Sequence, residues 1–399
     1  MLNKELVLKL CNEIGNNDVI RDKKENAFSK FLEFPMPSPG DEGWKYTNIM
    51  DLDLNSVEVS GQEIVFPSIN DEDIENGVIF CNIKEALAKH FDILREHFPM
   101  SLIKENDKVE AMHSAFWNDG IFIYVPKNTE LKVPLRNNFI VNGKGGIFSH
   151  TLIIVDDNST LTYIEEHNSK DGEYKAIRND AVEIYVGKNS CVNFYNFQNW
   201  ENNVINMTNW KGHLDRDSRL NWIFGQFGGT FSRIKAETIF AGEGSESKCY
   251  GVFYGTDEQK YDFTTDSFHN VPNTTGDILV KGVLDQKATS VYRGMIKILK
   301  GAQNTNSYLS DHSLILSKDA VSNSIPSLEI DANEVSASHG ATLGKPDEEE
   351  IFYLMSRGLN KKEAEKLIIL GYFSPIINAL SVDDLKEKYN NALSSKVSK

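Results

Sequence analysis

A long β body held between two helical ends is the fold class this sequence predicts, and three observations predict it. Short segments rich in β-branched and aromatic residues succeed one another for over two hundred residues in the middle of the chain. No helical window interrupts them, so the helical crossovers that join parallel strands in a βαβ chain are missing. At both ends, apolar residues recur at helical spacing instead. The chain therefore reads as a helical, loop-rich region over 1–115, a mainly β core over 116–344 and a helical region over 345–399.

Near the start, Leu6, Leu10 and Ile14 lie at i, i+4 and i+8, with Val7 and Cys11 beside them, which makes one face of an amphipathic helix. "FSKFLEFPMPSPGDEGWKYTNI" then brings three prolines and two glycines, and helix gives way to loop. "NIKEALAKHFDILREHF" restores helical spacing through Ile83, Leu87 and Phe91. From "GIFIYVP" onward the segments are strand-like: "HTLIIVDD", "STLTYIEEH", "SRLNWIFGQFGG", "DILVKGVLD" and "HSLILS" are examples. Val182, Ile184 and Val186 show their period of two. Hairpin turns of the Asn-Gly type are few, and open turns such as "DDNST" and "GKNS" suit stacked coils with parallel neighbours. No strict period is evident, so a solenoid, a sandwich and a barrel all stay open on pattern alone.

After Gly344, Pro346 is expected in the first turn of a helix, with Glu348, Glu349 and Glu350 at its positive end and Gly358 at its stop. Asn360 and Glu363 have the spacing of a capping box at the start of a second helix. Gly371 and Pro375 are expected to interrupt that helix. A last helix is expected over "VDDLKEKYNNAL", with "SSKVSK" frayed.

Composition excludes several functions. A net charge of −16 opposes nucleic-acid binding and an anionic membrane surface. No apolar run is long enough to span a bilayer, and Glu5, Asn12 and Glu13 break the resemblance of the first residues to a signal peptide. Cys11, Cys81, Cys191 and Cys249 are far apart, with no C-x-x-C pair, so neither a disulfide framework nor a zinc motif is expected and a cytoplasmic location fits. "NGKGGIFSH" and "AGEGSESK" lack the spacing of a phosphate-binding loop.

Candidate chemistry is sparse. His339, in "EVSASHGATLGK", is a titratable ring at the junction of the β core and the helical end. Asp262, Asp266, His269 and Asp277 could hold a divalent ion or simply lie on a solvated face. Asp311 and His312 carry the same ambiguity.

Four stretches together carry a resemblance. They are "GDEGWKYTNIMDL" (40–52), "FWNDGIFIYVPKNTELKVPL" (116–135), the run from "HNVPNTTGDILVKG" to "HSLILS" (269–317), and "SIPSLEIDANEVSASHGATLGKPDEEEIFYLMSRGLNKKEAEKLII" (324–369). They resemble the SufB/SufD family, scaffold components of the SUF iron–sulfur cluster assembly machinery. The resemblance implies a right-handed parallel β-helix core flanked by N-terminal and C-terminal α-helical regions, and a protein that is not a conventional enzyme. It implies pairing through the β-helix with a SufB-like paralogue, or with a second copy as a homodimer. A SufC-like ATPase, which hydrolyses the ATP, is expected on the C-terminal region, where Ile351, Phe352, Leu354, Leu367 and Phe373 are the contact candidates. No cofactor is expected to be held stably by this chain alone, since the nascent iron–sulfur cluster is shared with the partner.

In the family a histidine of the "SHGAT" motif is implicated in cluster assembly at the interface, and His339 occupies that place. By that resemblance it is the expected iron ligand. Members often carry cysteine two residues earlier, where this chain has Ala337, so a thiolate would have to come from the partner. Gly340 after the histidine is more similar to the SufD branch. The competing expectation is a β-solenoid carbohydrate-active enzyme or ligand-binding protein using Asp262, Asp266 and Asp277 as its acids.

Overall fold

The computed structural model describes residues 2–15, 17–54, 57–60, 62–66, 69–97 and 102–397. The N-terminal region contributes helices α1 (Lys4–Glu13), α2 (Asp18–Glu33), α3 (Asp71–Glu75), α4 (Ile83–Lys89), α5 (Phe91–His97) and α6 (Lys108–Phe116). Asn3 and Asn17 start the first two, their side chains accepting from Leu6 N and from Val19 N and Ile20 N. The single helix expected over "NIKEALAKHFDILREHF" is two, because His90 leaves the helical backbone at φ −129° and ψ 29°. The break lets α4 and α5 turn Ile83, Ala86, Leu87 and Leu94 onto one core.

Two short strands also lie in this region, β1 (Glu63–Val65) and β2 (Ile79–Asn82). The body begins with β3 (Ile121–Val125), β4 (Leu135–Val141), β5 (Gly145–Ile147), β6 (His150–Val155), β7 (Thr160–Ser169), β8 (Ala176–Val186), β9 (Cys191–Asn199) and β10 (Val204–Leu214). It continues as β11 (Arg219–Gln226), β12 (Phe231–Phe240), β13 (Glu246–Gly255), β14 (Lys260–His269), β15 (Thr275–Leu284), β16 (Thr289–Ile298), β17 (Asn306–Ile315), β18 (Val321–Ile330) and β19 (Ser336–Gly344). Among the described residues no helix lies between α6 and α7 (Glu348–Ser356), after which come α8 (Lys361–Ile377) and α9 (Asp383–Val397).

From β6 the chain enters two sheets alternately. One has the order β1-β4-β7-β9-β11-β13-β15-β17-β19, the other β18-β16-β14-β12-β10-β8-β6-β3-β2, with β5 also on β8. Pairing is parallel throughout the body, as between β10 and β12 or β15 and β17. This is a parallel β-helix, and the sandwich and barrel are excluded.

Each coil turns the same corner with a residue at positive φ: Asn128, Asn158, Asn189, Asp217, Gly244, Asn273 and Asn304. Asn, Asp and Gly tolerate that conformation best. Three of them form a side-chain ladder, with Asn158 Nδ2 donating to Asn128 Oδ1 and Asn189 Nδ2 to Asn158 Oδ1, both at 3.0 Å.

Three apolar layers hold the molecule together. The lumen is filled by inward residues of both sheets, including Tyr163, Phe194, Trp210, Trp222, Phe263 and Tyr292. The N-terminal helices cover the outside of the ten-stranded sheet against Phe122, Leu152, Ile154 and Met207. The C-terminal helices cover the other sheet, where Phe373, Ile376 and Tyr389 meet Tyr195, Ile223 and Val252. Gly225 makes room for this contact, since a Cβ there would lie 2.5 Å from Tyr389.

The C-terminal helices depart from expectation in three places. Asp347, not Pro346, borders α7, its side chain accepting from Glu349 N. Gly371 and Pro375 do not interrupt α8. Proline removes an N–H, but the carbonyl of Gly371 accepts the Ser374 hydroxyl at 2.8 Å in its place. The last helix runs on through Val397 rather than fraying, and Lys396 reaches Gln259 Oε1 at 3.2 Å. Residues 398 and 399 of that stretch lie outside the described residues.

Candidate functional site: the open end of the β-helix

The two ends of the β-helix differ. At the first, β1 pairs antiparallel with β4 and β2 antiparallel with β3, so short strands cover the edges. At the last, β18 pairs only with β16 and β19 only with β17. Among the described residues the outer edges of both strands carry no partner strand, and such edges template pairing with another chain.

Register shows what this end presents. Paired residues of parallel strands point to the same face. Leu135, Tyr163, Phe194, Trp222, Cys249, Ile278 and Leu309 form one continuous column of paired residues in the lumen core. The next member is His339, opposite Leu309. His339 is exposed because its coil is the last. Ala341 and Leu343 continue the inward face of β19, and Leu328 and Ile330 that of β18. The open end is thus an apolar cross-section with one imidazole in it. Leu343 and Ile330 remain 49% and 39% exposed there.

One coil beneath lies Asp311, paired with Ala341 and 1% exposed. The Ser324 hydroxyl faces it from the opposite sheet and favours its charged form, the smaller of the two influences on it. Burial pushes its carboxyl up to about 7. His312, next to it, points outward, and its carbonyl accepts the Tyr372 hydroxyl at 2.6 Å in the docking of α8.

The acids of the carbohydrate reading are not brought together. Asp262 is 1% exposed and bound by Arg233 and Arg293, each at 2.7 Å. Asp266 accepts from Met295 N at 3.1 Å on the same outer face. Asp277 lies on the other sheet and accepts the Tyr250 hydroxyl. His269 is a core residue, stacked on Phe240 at 4.2 Å and bonded to Thr274 and Ser307. Burial drives its pKa down to about 3, so it stays neutral.

No group of three or more His, Cys, Asp or Glu side chains that could hold a metal is present among the described residues. All four cysteines are free thiols. Burial raises the pKa of each, to about 12 for Cys249 and about 11 for Cys81, so none is a poised thiolate.

The C-terminal surface is the second exposed apolar region. Phe352 is 73% and Leu367 51% exposed, while Ile351 and Leu354 are half-buried. A cleft of about 790 Å³ runs past Ile351, Phe352 and Met355. Phe373, by contrast, is 0% exposed under α8. It fixes the helix to the sheet and presents nothing to a partner, which corrects its place among the contact candidates. The lumen-facing role of Ile330 and Leu343 was not read from the sequence, although the alternation of "SLEI" and the strand character of "ATLG" carried it.

Fold and site together define a parallel β-helix protein with one uncovered terminal coil, on which a single imidazole is exposed. Comparison with known proteins names the class. The family model for the SufBD core domain of the SUF system for FeS cluster assembly matches residues 139–372, and that for the SufBD protein N-terminal region matches 51–136. The chain belongs to the SufBD family of iron–sulfur cluster assembly proteins. It is 29% identical to the iron–sulfur cluster assembly protein SufD of Bacillus subtilis, over 95% of this chain and 94% of that one. It is 30% identical to SufBD family proteins of Staphylococcus epidermidis and Staphylococcus aureus, over 80% of this chain and 69% of theirs. No helix among the described residues is long and apolar enough to cross a membrane.

Proposed function

We propose that this chain is a non-enzymatic scaffold subunit of a SUF-type assembly complex in the cytoplasm. It stacks end-on, through β18 and β19, with a SufB-like paralogue or a second copy of itself. The observation that carries this reading is the asymmetry of the β-helix, covered at its first end and bare at its last. Two such ends placed edge to edge would extend both sheets and bury the lumen cross-section.

His339 then lies inside the seam, at the end of the lumen column. Its imidazole offers one nitrogen ligand to iron arriving as cargo, and a partner thiolate supplies the softer ligand that Ala337 cannot. A SufC-like ATPase docks on the surface formed by Ile351, Phe352, Leu354 and Leu367, and ATP is hydrolysed there rather than on this chain.

The test is cluster reconstitution in the full complex with His339→Ala. The variant is expected to lower cluster yield at least tenfold while assembly and melting temperature stay unchanged, because the ring is exposed in the free chain. Undiminished yield in an intact complex would refute the assignment.

A further inference from the structure

A groove of about 840 Å³ lies on the outside of the ten-stranded sheet. Its walls are the segment 34–45 and the start of α6, and its floor is made by outward side chains of β12, β14, β16 and β18. Phe34, Phe268, Met295 and Ile325 line it and are each half-buried, so apolar surface there remains to be covered. Its charge is lopsided. Among the described residues seven carboxyl side chains line it against four cationic ones. Three of those cations are already matched: Lys235 binds Glu110 at 2.9 Å and Glu237 at 3.1 Å, and Arg233 and Arg293 share Asp262 at 2.7 Å each.

Asp266 is the sharper observation. In register it stands on the floor between Glu237 and Met295, and it is 9% exposed. One of its oxygens accepts from Met295 N at 3.1 Å. The other opens on the groove and has no hydrogen-bond partner among the described residues. Nor does Asp266 form an ion pair there, since the nearest ammoniums, Lys235 and Lys211, are held by Glu237 and Glu110. A carboxyl nine-tenths buried, with one oxygen free and an acid as its neighbour, carries charge at a cost that an arriving cation would offset.

We infer that this groove is a binding site for a small organic amine, its ammonium on Asp266 and its apolar body along Phe268, Met295 and Ile325. A hydrogen bond between ammonium and carboxylate is among the strong ones, and the volume falls within the range of small-molecule sites. A bare metal ion lacks ligands here, since no three potential ligand side chains converge among the described residues. The inference is read on the free chain and does not rest on the assembly role.

Binding is linked to pH through the same carboxyl. Burial pushes it up to about 7, with Glu237 adding to the rise and Lys235, the Met295 amide and Lys211 opposing it. The charged and titratable groups around it are Lys235 and Glu237 on β12, Lys211 on β10, Asp262 on β14, Arg293 on β16, Glu329 on β18 and Glu110 on α6. Asp41, Glu42, Lys45 and Asp107 lie in the walls, and Cys249 and Tyr292 in the lumen beneath. Burial pushes Glu237 up, but Lys235 and Lys211 together hold it below its ordinary range, and burial takes Cys249 up to about 12. Asp266 therefore gains its charge between pH 6 and pH 8, and an amine should bind more tightly as pH rises.

The experiment is isothermal titration of the full-length chain at low ionic strength with tryptamine, with hexylamine, and with tryptophol, which carries a hydroxyl where tryptamine carries its ammonium. Saturable one-site binding of both amines is expected, about tenfold tighter at pH 8 than at pH 6. Tryptophol should bind about tenfold more weakly than tryptamine at pH 8, or less. Asp266→Asn keeps the bond to Met295 N and should bring tryptamine down to the level of tryptophol, without pH dependence. Met295→Lys, which sets an ammonium beside Asp266 at a half-exposed position, should abolish amine binding in a chain of unchanged circular dichroism. Glu258→Gln, at an exposed corner outside the groove, should change nothing. Absence of saturable binding by both amines, tryptophol binding as tightly as tryptamine, or binding indifferent to Asp266→Asn would overturn the inference.

Discussion

Substituting Ile330 and Leu343 together by lysine should uncouple this chain from its end-on partner without unfolding it. Both side chains face the lumen on the last coil, and 39% and 49% of their surfaces are still exposed. Full burial of such a side chain contributes about 1.5–3 kcal/mol. The exposed fractions of the two are then worth about 2 kcal/mol together once a second end covers them. That alone weakens association about thirtyfold, and two ammonium groups forced into an apolar seam weaken it further, to about a hundredfold or more. Sedimentation velocity over a range of concentrations, alone and with the SufB-like paralogue, reads the effect directly. The free chain should keep its circular dichroism and melt within a few degrees of the parent, because the sites are half-exposed in it. A change in dissociation constant below threefold, with the fold intact, would refute the reasoning.

Three further outcomes are expected. Asp311→Asn should stabilise the chain in a pH-dependent way. The buried carboxyl ionises near 7 and its unfolded counterpart near 4, so the parent loses stability as pH rises from about 4 to about 7, and the full penalty is present above that. The gain should be about 4 kcal/mol at pH 8 and near zero at pH 4 in urea denaturation, and an equal gain at both would show that ionisation is not its cause. Phe352→Ala with Leu367→Ala should reduce capture of the ATPase at unchanged stability, whereas Phe373→Ala should cost about 3–5 kcal/mol of folding free energy, since that ring is wholly buried. Leu309→Ala, which removes the core residue beneath His339, should cost about 2–5 kcal/mol and lower cluster yield only in proportion to the folded fraction.

Local chemistry was legible in the sequence where it is self-contained. Asn360 and Glu363 form the expected capping box, and Gly358 sits at φ 101° past the end of α7. The face of α1 buries Val7, Leu10 and Cys11 as its spacing indicated. The parallel β-helix was legible only through resemblance, since the coil length varies and its marker alternates among Asn, Asp and Gly. Corner residues from Asn128 to Asn304 recur at 30, 31, 28, 27, 29 and 31 residues. That drift conceals a period from inspection but is visible once positive-φ residue types are aligned.

β1 and β2 were missed because strands of three and four residues exist only through the edges they cover. His269 and Asp262 read in sequence as ion ligands or as a solvated face, and they are neither: one is a stacked core ring and the other a double arginine anchor. His339 could be singled out as a ring at a junction. Its lumen position depends on register with Leu309, thirty residues away, which no local pattern encodes.

Hydrogen–deuterium exchange on the free chain and on the assembled complex tests the central claim most directly. Backbone amides of 321–330 and 336–344 should gain strong protection on assembly, while 63–65 and 79–82 at the covered end should exchange as before. Unchanged exchange in both terminal strands, with protection gained elsewhere on the β-helix, would contradict the end-on seam.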